Sequence, residues 1–258
     1  MPNQSQKIGM REARPVLVIG GTRGTGLLIA RLLQRRGCTV RVLARNRWRA
    51  LSLFDRSVEV VSGDITKSDT LVPAIEGVCH IVFTAGCRSG YPARESLVKM
   101  TEYEGVVNAL NAALQCGFGG RFLYMTSSSG TTPSLAATCL NLWKGNTLVW
   151  RRRAEEEIRA RDLAYTIIRT GILLNRTGGQ HALEVTQRDL PLSLRFRIAR
   201  ADVAEVFLAA LENPKTARTT FEVTWGQRGQ LKKWSDLFRG LMTDDERCAT
   251  REAGDRHA

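Results

Sequence analysis

Short apolar runs alternate with longer amphipathic segments along most of this chain of 258 residues. The runs are rich in valine, isoleucine and leucine, which is typical of strands that are buried on both faces of a sheet. The pattern predicts seven strands, at residues 16–19, 39–44, 58–61, 78–84, 121–126, 165–169 and 219–224. The intervals between them hold helical crossovers, so neighbouring strands are expected to be parallel.

The segments between the strands carry apolar residues at helical spacing, and Leu97, Val107, Leu110 and Leu114 show this in the longest segment. We predict helices at residues 24–36, 47–54, 94–115, 146–161, 200–211 and 231–242. Right-handed crossovers between parallel strands give a doubly wound sheet with helices on both faces. The predicted fold class is therefore α/β, with a parallel sheet of about seven strands.

The domain boundaries follow from where this alternation starts and ends. Residues 1–14 are predicted to be a flexible polar tail, and residues 15–242 a single domain. Residues 243–258 are polar and charged, so we expect a disordered tail there. Within the domain, residues 171–200 and 225–242 depart from the pattern and are expected to form a small extension on the substrate side.

A glycine cluster follows the first strand directly and opens the first helix. Gly20, Gly24 and Gly26 stand there, with Thr22 and Thr25 between them. Glycines let backbone N–H groups approach a phosphate, and the dipole at a helix N-terminus favours negative charge. An ordinary strand–turn–helix corner is the alternative, but the position between strand and helix favours a site for the pyrophosphate of a dinucleotide.

The Gly20-x-x-x-Gly24-x-Gly26 spacing resembles that of the short-chain dehydrogenase/reductase superfamily. Residues 165–173 resemble the "YTIVRPGGL" signature of its atypical, NmrA-like branch, and residues 200–204 resemble the "R-x-DVA" start of a helix in that branch. Ala154 and Glu155 resemble its "AE" helix. The resemblance extends from about residue 15 to residue 242 and implies a Rossmann-type, NAD(P)-binding domain.

The end of the second strand bears on the choice of cofactor. An acidic residue there would bind the ribose hydroxyls of NAD, but this chain has Arg45 and no acidic residue until Asp55. Arg23 lies in the glycine turn on the same side. Each arginine alone is compatible with an exposed surface residue. As a pair they favour NADP(H) over NAD(H), because a guanidinium suits a 2′-phosphate.

The resemblance implies further contacts with the cofactor. Asp64, with Ile65 beside it, matches the aspartate that contacts adenine, although an N-cap or an Asx turn is an alternative role for Asp64. Ala85 and Gly86 match the loop that runs along the cofactor after the fourth strand. Thr126, at the end of the fifth strand, is also assigned to cofactor binding.

The catalytic positions depart from the pattern of the superfamily. Ser128 stands where a serine polarises the substrate carbonyl, with Ser127 as the second choice. When Ala154 and Glu155 are aligned with the "AE" motif, Arg151 stands at the position of the usual lysine and Thr147 at that of the usual tyrosine. Arg151 can still bind ribose hydroxyls, but neither residue can donate a proton near neutral pH. His181, in an irregular loop, is a candidate proton donor and is otherwise an exposed loop residue.

The net charge of +13 and the pI of about 10.1 suggest an anionic partner. Residues 13–54 contain nine arginines and no acidic residue, in the region where a phosphorylated cofactor is expected. The basic residues are not interleaved with aromatic residues on which bases could stack, and the sequence has no recognition-helix motif. Specific binding of nucleic acid is therefore not expected. No apolar run is long enough to span a bilayer, and the polar N-terminus favours the cytoplasm.

The leading hypothesis is an NADP(H)-binding atypical reductase that transfers hydride to or from a small organic substrate. The alternative is a non-catalytic NADP(H)-binding sensor, regulator or assembly factor. The missing tyrosine–lysine pair favours that alternative, whereas the cofactor-binding residues are compatible with both.

Overall fold

The computed structural model describes residues 14–87, 92–128, 135–226 and 234–255. These residues form a sheet of eight strands and a second sheet of two short strands. The strands are β1 Val16–Ile19, β2 Val40–Ala44, β3 Val58–Ser62, β4 His80–Phe83, β5 Arg121–Ser127, β6 Ala164–Thr170, β7 Ile172–Leu174, β8 Leu183–Thr186, β9 Arg197–Ala199 and β10 Thr219–Trp225.

The large sheet has the strand order β3-β2-β1-β4-β5-β6-β10-β8. All neighbouring pairs are parallel except β10 and β8, which are antiparallel. The predicted α/β Rossmann-type fold is confirmed, and the seven predicted strands are its parallel strands. The order reverses between β1 and β4, which opens a crevice at the carboxyl ends of these strands.

Helices cover both faces of this sheet. They are α1 Gly24–Arg35, α2 Arg47–Leu51, α3 Val72–Ile75, α4 Glu95–Lys99, α5 Gly105–Gln115, α6 Leu135–Trp143, α7 Thr147–Ala160, α8 Arg200–Glu212, α9 Trp234–Leu237 and α10 Asp244–Asp255. The helix predicted over residues 94–115 is divided by a π-helical turn, Met100–Glu104. The helix α6 was not predicted, and the segment predicted as irregular contains β7, β8 and β9.

The apolar residues of each central strand alternate between two cores. Leu17 packs with residues of α3, α5 and α7, whereas Val18 packs with residues of α1 and α8. Both side chains are buried, which explains why the strands are continuous apolar runs in the sequence. The sheet is thus held rigidly from both sides and presents its carboxyl-end loops to solvent.

The prediction that residues 243–258 are disordered is wrong for its first part, because α10 begins there. Thr243 and Glu246 form a capping box: the Glu246 carboxylate accepts the Thr243 N–H at 2.7 Å, and Thr243 Oγ1 accepts the Glu246 N–H at 3.2 Å. Polar residues in this segment therefore cap and dock a helix. Of the predicted N-terminal tail, residues 1–13 lie outside the described part of the chain.

Among the described residues, none of the helices combines the length and the apolar character that crossing a bilayer requires. The cytoplasmic location stays a prediction.

Candidate functional site

A cavity of about 420 Å³ opens at the carboxyl ends of β1, β2, β3 and β4. It lies at the crevice where the strand order reverses, as ligand sites of doubly wound sheets do. The predicted cofactor residues on its wall are Gly20, Thr22, Arg23, Arg45, Asp64, Ile65, Ala85 and Gly86. Residues from four separate loops are therefore brought together at one place, and we call it the crevice cavity.

The glycine turn has the geometry of an anion cradle. Gly20 has φ +89°, and a Cβ atom there would lie 2.6 Å from the backbone nitrogen of Ala85. A Cβ atom on Gly26 would lie 2.3 Å from the carbonyl oxygen of Gly20. Only glycine allows this close approach between the turn after β1 and the loop after β4.

The first turn of α1 leaves hydrogen-bond donors without a protein partner. Its N-cap, Arg23, makes no side-chain capping hydrogen bond. Thr25 is buried, and its hydroxyl has no hydrogen-bond partner among the described residues. Free N–H groups at a helix N-terminus fit the pyrophosphate of a dinucleotide, whereas the Thr25 hydroxyl is buried and Thr25 is not among the described lining residues of the crevice cavity.

Three arginines line the crevice cavity. Arg45 and Arg49 are exposed, and neither forms an ion pair within the described part of the chain. Asn46 Oδ1 accepts the Arg49 N–H at 2.9 Å and so caps α2 beside the cavity. Asp64 is the one acidic residue among the described lining residues, which makes this end of the cavity electropositive.

Arg23 and Arg49 differ from the sequence predictions in different ways. Arg23 Nη2 donates to the Gly86 carbonyl at 3.0 Å, so Arg23 ties the glycine turn to the loop after β4 as well as lining the cavity. Arg49 was not among the cofactor residues predicted from the sequence. One feature of the sequence does indicate Arg49. It follows Arg45 by four residues, and Asn46, the N-cap of the short helix α2, lies between them.

Asp64 forms the Asx turn that was its alternative role. Its Oδ1 atom accepts the N–H and the hydroxyl of Thr66, both at 3.0 Å. Ile65 is buried under the π-helical turn, where a Cβ atom on Gly105 would lie 2.8 Å from Ile65 Cδ1. Both residues still stand on the cavity wall, and Asp64 is the more exposed of the two.

A buried ion pair borders the crevice cavity at Gly86. Arg151 Nε donates to Glu102 Oε2 at 2.7 Å, and Arg151 Nη2 donates to Glu102 Oε1 at 3.2 Å. A Cβ atom on Gly86 would lie 3.2 Å from Arg151 Nη2. Glu102, only 4% exposed, also accepts the Cys87 N–H at 2.9 Å and so links α7 to the loop after β4.

Arg151 is held as a permanent cation by this arrangement. Burial is the largest influence and acts to lower its pKa, but the charge of Glu102, the hydrogen bonds to Glu102 and the smaller effects of Tyr124 and Glu155 together outweigh burial, and the pKa of Arg151 is raised. Arg151 can therefore bind hydroxyls or an anion, but it cannot donate a proton near neutral pH. Thr147, the residue at the expected tyrosine position, is buried at the start of α7.

The hydroxyl beside Arg151 belongs to Ser127. Arg151 Nη1 donates to Ser127 Oγ at 2.9 Å. Ser128, the residue that we predicted to polarise the substrate, is 1% exposed and donates its hydroxyl to Glu222 on β10. Ser128 is thus enclosed away from Arg151, a geometry that favours Ser127, the second choice, for the predicted role. Thr126 is also buried.

Glu222 belongs to a buried charge network next to this strand end. Arg169 lies between Glu155, which it contacts at 2.7 Å, and Glu222, at 3.7 Å. Burial raises the pKa of Glu222 to about 7, although Ser128 and Arg169 act to lower it. No role was predicted for Glu102 or Glu222, since an acidic residue in an apolar run does not by itself indicate a site.

His181 lies away from the Arg151–Ser127 contact. Its ring stacks on Trp225 with the centroids 4.0 Å apart, in a second cavity between α1 and α8. That cavity shares no described lining residue with the crevice cavity. His181 is an exposed loop residue, which was its alternative role, and it lies outside the crevice cavity.

A family model described as "NAD(P)H-binding" matches residues 20–214. Sanguinarine reductase of Eschscholzia californica is 29% identical to this chain, over 88% of it and 96% of the reductase. Photosystem II assembly factor Ycf39 of Synechocystis is 25% identical, over 82% of this chain and 64% of that factor. Among solved structures, ChuY, an anaerobillin reductase from Escherichia coli O157:H7, has a TM-score of 0.70 at 20% identity, over 84% of this chain and 99% of ChuY. At that identity the likeness to ChuY shows the fold.

Proposed function

The chain belongs to the NAD(P)H-binding family, and on that premise we propose that it is an NADP(H)-dependent reductase of a small organic molecule. When bound in such a site, the cofactor supplies hydride chemistry. The protein's own contribution is to hold the dinucleotide, to orient the substrate and to exclude water.

The proposal for NADP(H) rests on the positive charge at the end of β2. Arg45 and Arg49 face the crevice cavity without a carboxylate partner among the described residues. A 2′-phosphate adds two negative charges that NAD lacks, and planar guanidinium groups bind it through several hydrogen bonds. An acidic residue in place of Arg45 would instead favour NAD.

The pair of Arg151 and Ser127 supports a role at the other end of the cofactor. Arg151 would hold the hydroxyls of the nicotinamide ribose, and Ser127 would donate a hydrogen bond to the substrate carbonyl. Neither residue supplies a proton, so we propose that the proton comes from solvent.

The cofactor preference is tested by calorimetric titration of NADPH and NADH into the wild type and single variants. Arg45→Ala and Arg49→Ala should each weaken NADPH binding by roughly tenfold or more, since each removes a charge-assisted hydrogen bond. Their affinity for NADH should stay within about twofold. Arg47→Ala is the matched control, because Arg47 lies on the same short helix and donates to the Val60 carbonyl at 3.3 Å. Equal affinity of the wild type for both cofactors would overturn the NADP(H) assignment.

A non-catalytic NADP(H)-binding factor is the second candidate. It is favoured by the permanent charge of Arg151 where the superfamily uses a titrating lysine, and the relatives include a photosystem II assembly factor. NADPH oxidation measured with quinone, flavin and aldehyde substrates separates the two functions. Tight NADPH binding without turnover on any of them would support the non-catalytic function.

A further inference from the structure

A second cavity, of about 590 Å³, lies between α1 and α8 and is closed by residues 178–183 and by α9. We call it the α1–α8 cavity. It is within the usual volume of small-molecule sites and is larger than the crevice cavity. The proposed reductase function makes no use of it.

The middle of the α1–α8 cavity is apolar. Leu28 and Leu32 stand one helical turn apart on α1, and Leu183 and Leu237 contribute from β8 and α9. Ala204 of α8 also lines it, so a small side chain leaves room between the two helices. Aliphatic side chains of this kind accommodate a hydrocarbon or flat aromatic body.

One wall of the cavity is built around Asp202, the aspartate of the motif at the start of α8. Its Oδ1 atom accepts the Gly179 N–H at 2.6 Å, and its Oδ2 atom accepts the Trp225 indole N–H at 2.7 Å. A Cβ atom on Gly178 would lie 2.8 Å from Asp202 Oδ1, and Gly179 has φ +75°. The buried carboxylate thus orders the turn and supports Trp225, on which His181 stacks. This wall is preorganised.

The end of the cavity at the last turn of α1 carries positive charge. Arg35 forms no ion pair or hydrogen bond with another described side chain. Arg36 Nη2 approaches Glu205 Oε2 only to 3.5 Å, and the two side chains are 52% and 39% exposed. Such an exposed, long ion pair contributes little free energy, so a ligand anion can replace Glu205.

We propose that the α1–α8 cavity is a second small-molecule site for an amphipathic organic anion, with its apolar body along Leu28 and Leu32 and its acid group at Arg35 and Arg36. The site is separate from the crevice cavity. The helix α1 connects the two, because it begins at the glycine turn and ends at Arg35.

Anilinonaphthalene sulfonate is a suitable probe, since it combines a flat apolar body with an anionic group. Its fluorescence is titrated against the full chain with and without saturating NADPH. The probe should bind in both cases. Decanoate should displace it roughly twofold to fivefold better than decanol, the gain expected from one exposed ion pair.

Variants locate the probe. Arg35→Gln should weaken probe binding by roughly threefold to fivefold, whereas Arg31→Gln, on the same helix and outside the cavity, should leave it unchanged. Ala201→Phe should abolish binding by filling the space between the helices, and its fold is checked by circular dichroism. The proposal would be overturned if NADPH displaced the probe or if decanol and decanoate competed equally well. It would also be overturned if Arg35→Gln bound the probe as tightly as the wild type does. The decanoate competition and the Arg35→Gln titration depend neither on turnover nor on NADPH being bound, so failure of the proposed function is distinguishable from failure of this proposal.

Discussion

Glu222 lies on β10 with its carboxylate enclosed between Ser128 and Arg169. It is 1% exposed, and one of its oxygen atoms has no hydrogen-bond partner among the described residues. A buried carboxylate that is only partly satisfied binds a proton more readily than one in water. This residue therefore links the stability of the protein to pH.

The sign follows from the direction of the shift. The pKa of Glu222 rises from 4.5 to about 7 on folding, so the folded state holds a proton that the unfolded state releases between these values. Its stabilising contribution is full below about pH 4.5 and is lost as the pH rises through about 7. We expect Glu222→Gln, a mimic of the protonated form, to be more stable than the wild type above about pH 8, by on the order of 2–3 kcal/mol.

Urea unfolding at a series of pH values measures this difference. The advantage of Glu222→Gln over the wild type should shrink toward about pH 5. Glu184→Gln changes an exposed carboxylate on the neighbouring strand and is the control. Parallel curves of stability against pH for the wild type and Glu222→Gln would contradict the expectation.

For single residues, the sequence predicts a functional role well when local backbone geometry determines that role. Gly20 and Gly26 were identified because the turn needs them, and their close contacts agree with that reason. The sequence alone does not decide between Ser127 and Ser128, because the choice depends on Glu222, which is 94 positions from Ser128 in the chain. No local pattern contains that contact.

The π-helical turn between α4 and α5 is the element that places Glu102. An apolar stripe continues from Leu97 to Leu114, so the sequence predicts one uninterrupted helix there. The extra residue of a π turn does not disturb the stripe enough to be visible, and such turns often occur at functional sites. In this chain the turn directs the Glu102 carboxylate at Arg151 and at the Cys87 N–H.

Removal of the Glu102 charge should therefore leave Arg151 buried without a counter-ion. We expect Glu102→Gln to lower the free energy of unfolding by roughly 2–4 kcal/mol and to weaken NADPH binding. Glu104→Gln is the matched control on the same turn, since Glu104 pairs with Lys99 at 3.1 Å and both side chains are about 40% exposed.

A double variant separates the stabilising role from the binding role. Glu102→Gln combined with Arg151→Gln removes both charges and should recover part of the lost stability, but not the affinity for NADPH. Thermal unfolding and NADPH titration of the wild type, Glu102→Gln, Arg151→Gln and the double variant give the cycle. If Glu102→Gln is as stable as Glu104→Gln, the ion pair does not have the structural role assigned to it.

For the whole molecule, the period of the apolar pattern was enough to predict the parallel sheet and the helices on its two faces. Two of the parts that were missed, β8 and α10, lie toward the end of the sheet formed by β10 and β8. The strand β8 and the helix α10 are polar on their exposed sides, and long-range contacts rather than periodicity hold them in place. We therefore propose that the domain extends beyond residue 242, where composition had placed its end.

Asp244 makes the contacts that join this C-terminal helix to the sheet. Its carboxylate accepts from the Thr220 hydroxyl at 2.6 Å, the Thr220 N–H at 3.0 Å and the Tyr165 hydroxyl at 2.9 Å. We expect Asp244→Ala to cost about 2–3 kcal/mol, because it leaves these donors unsatisfied, and to lower Tm by roughly 4–10 °C in calorimetry. Asp245→Ala should change Tm by less than about 2 °C, since Asp245 is 71% exposed and pairs only with Arg218 among the described residues.

Removal of residues 244–258 should destabilise the protein at least as much as Asp244→Ala. An unchanged Tm in the truncated chain would show that the domain ends where composition placed its boundary.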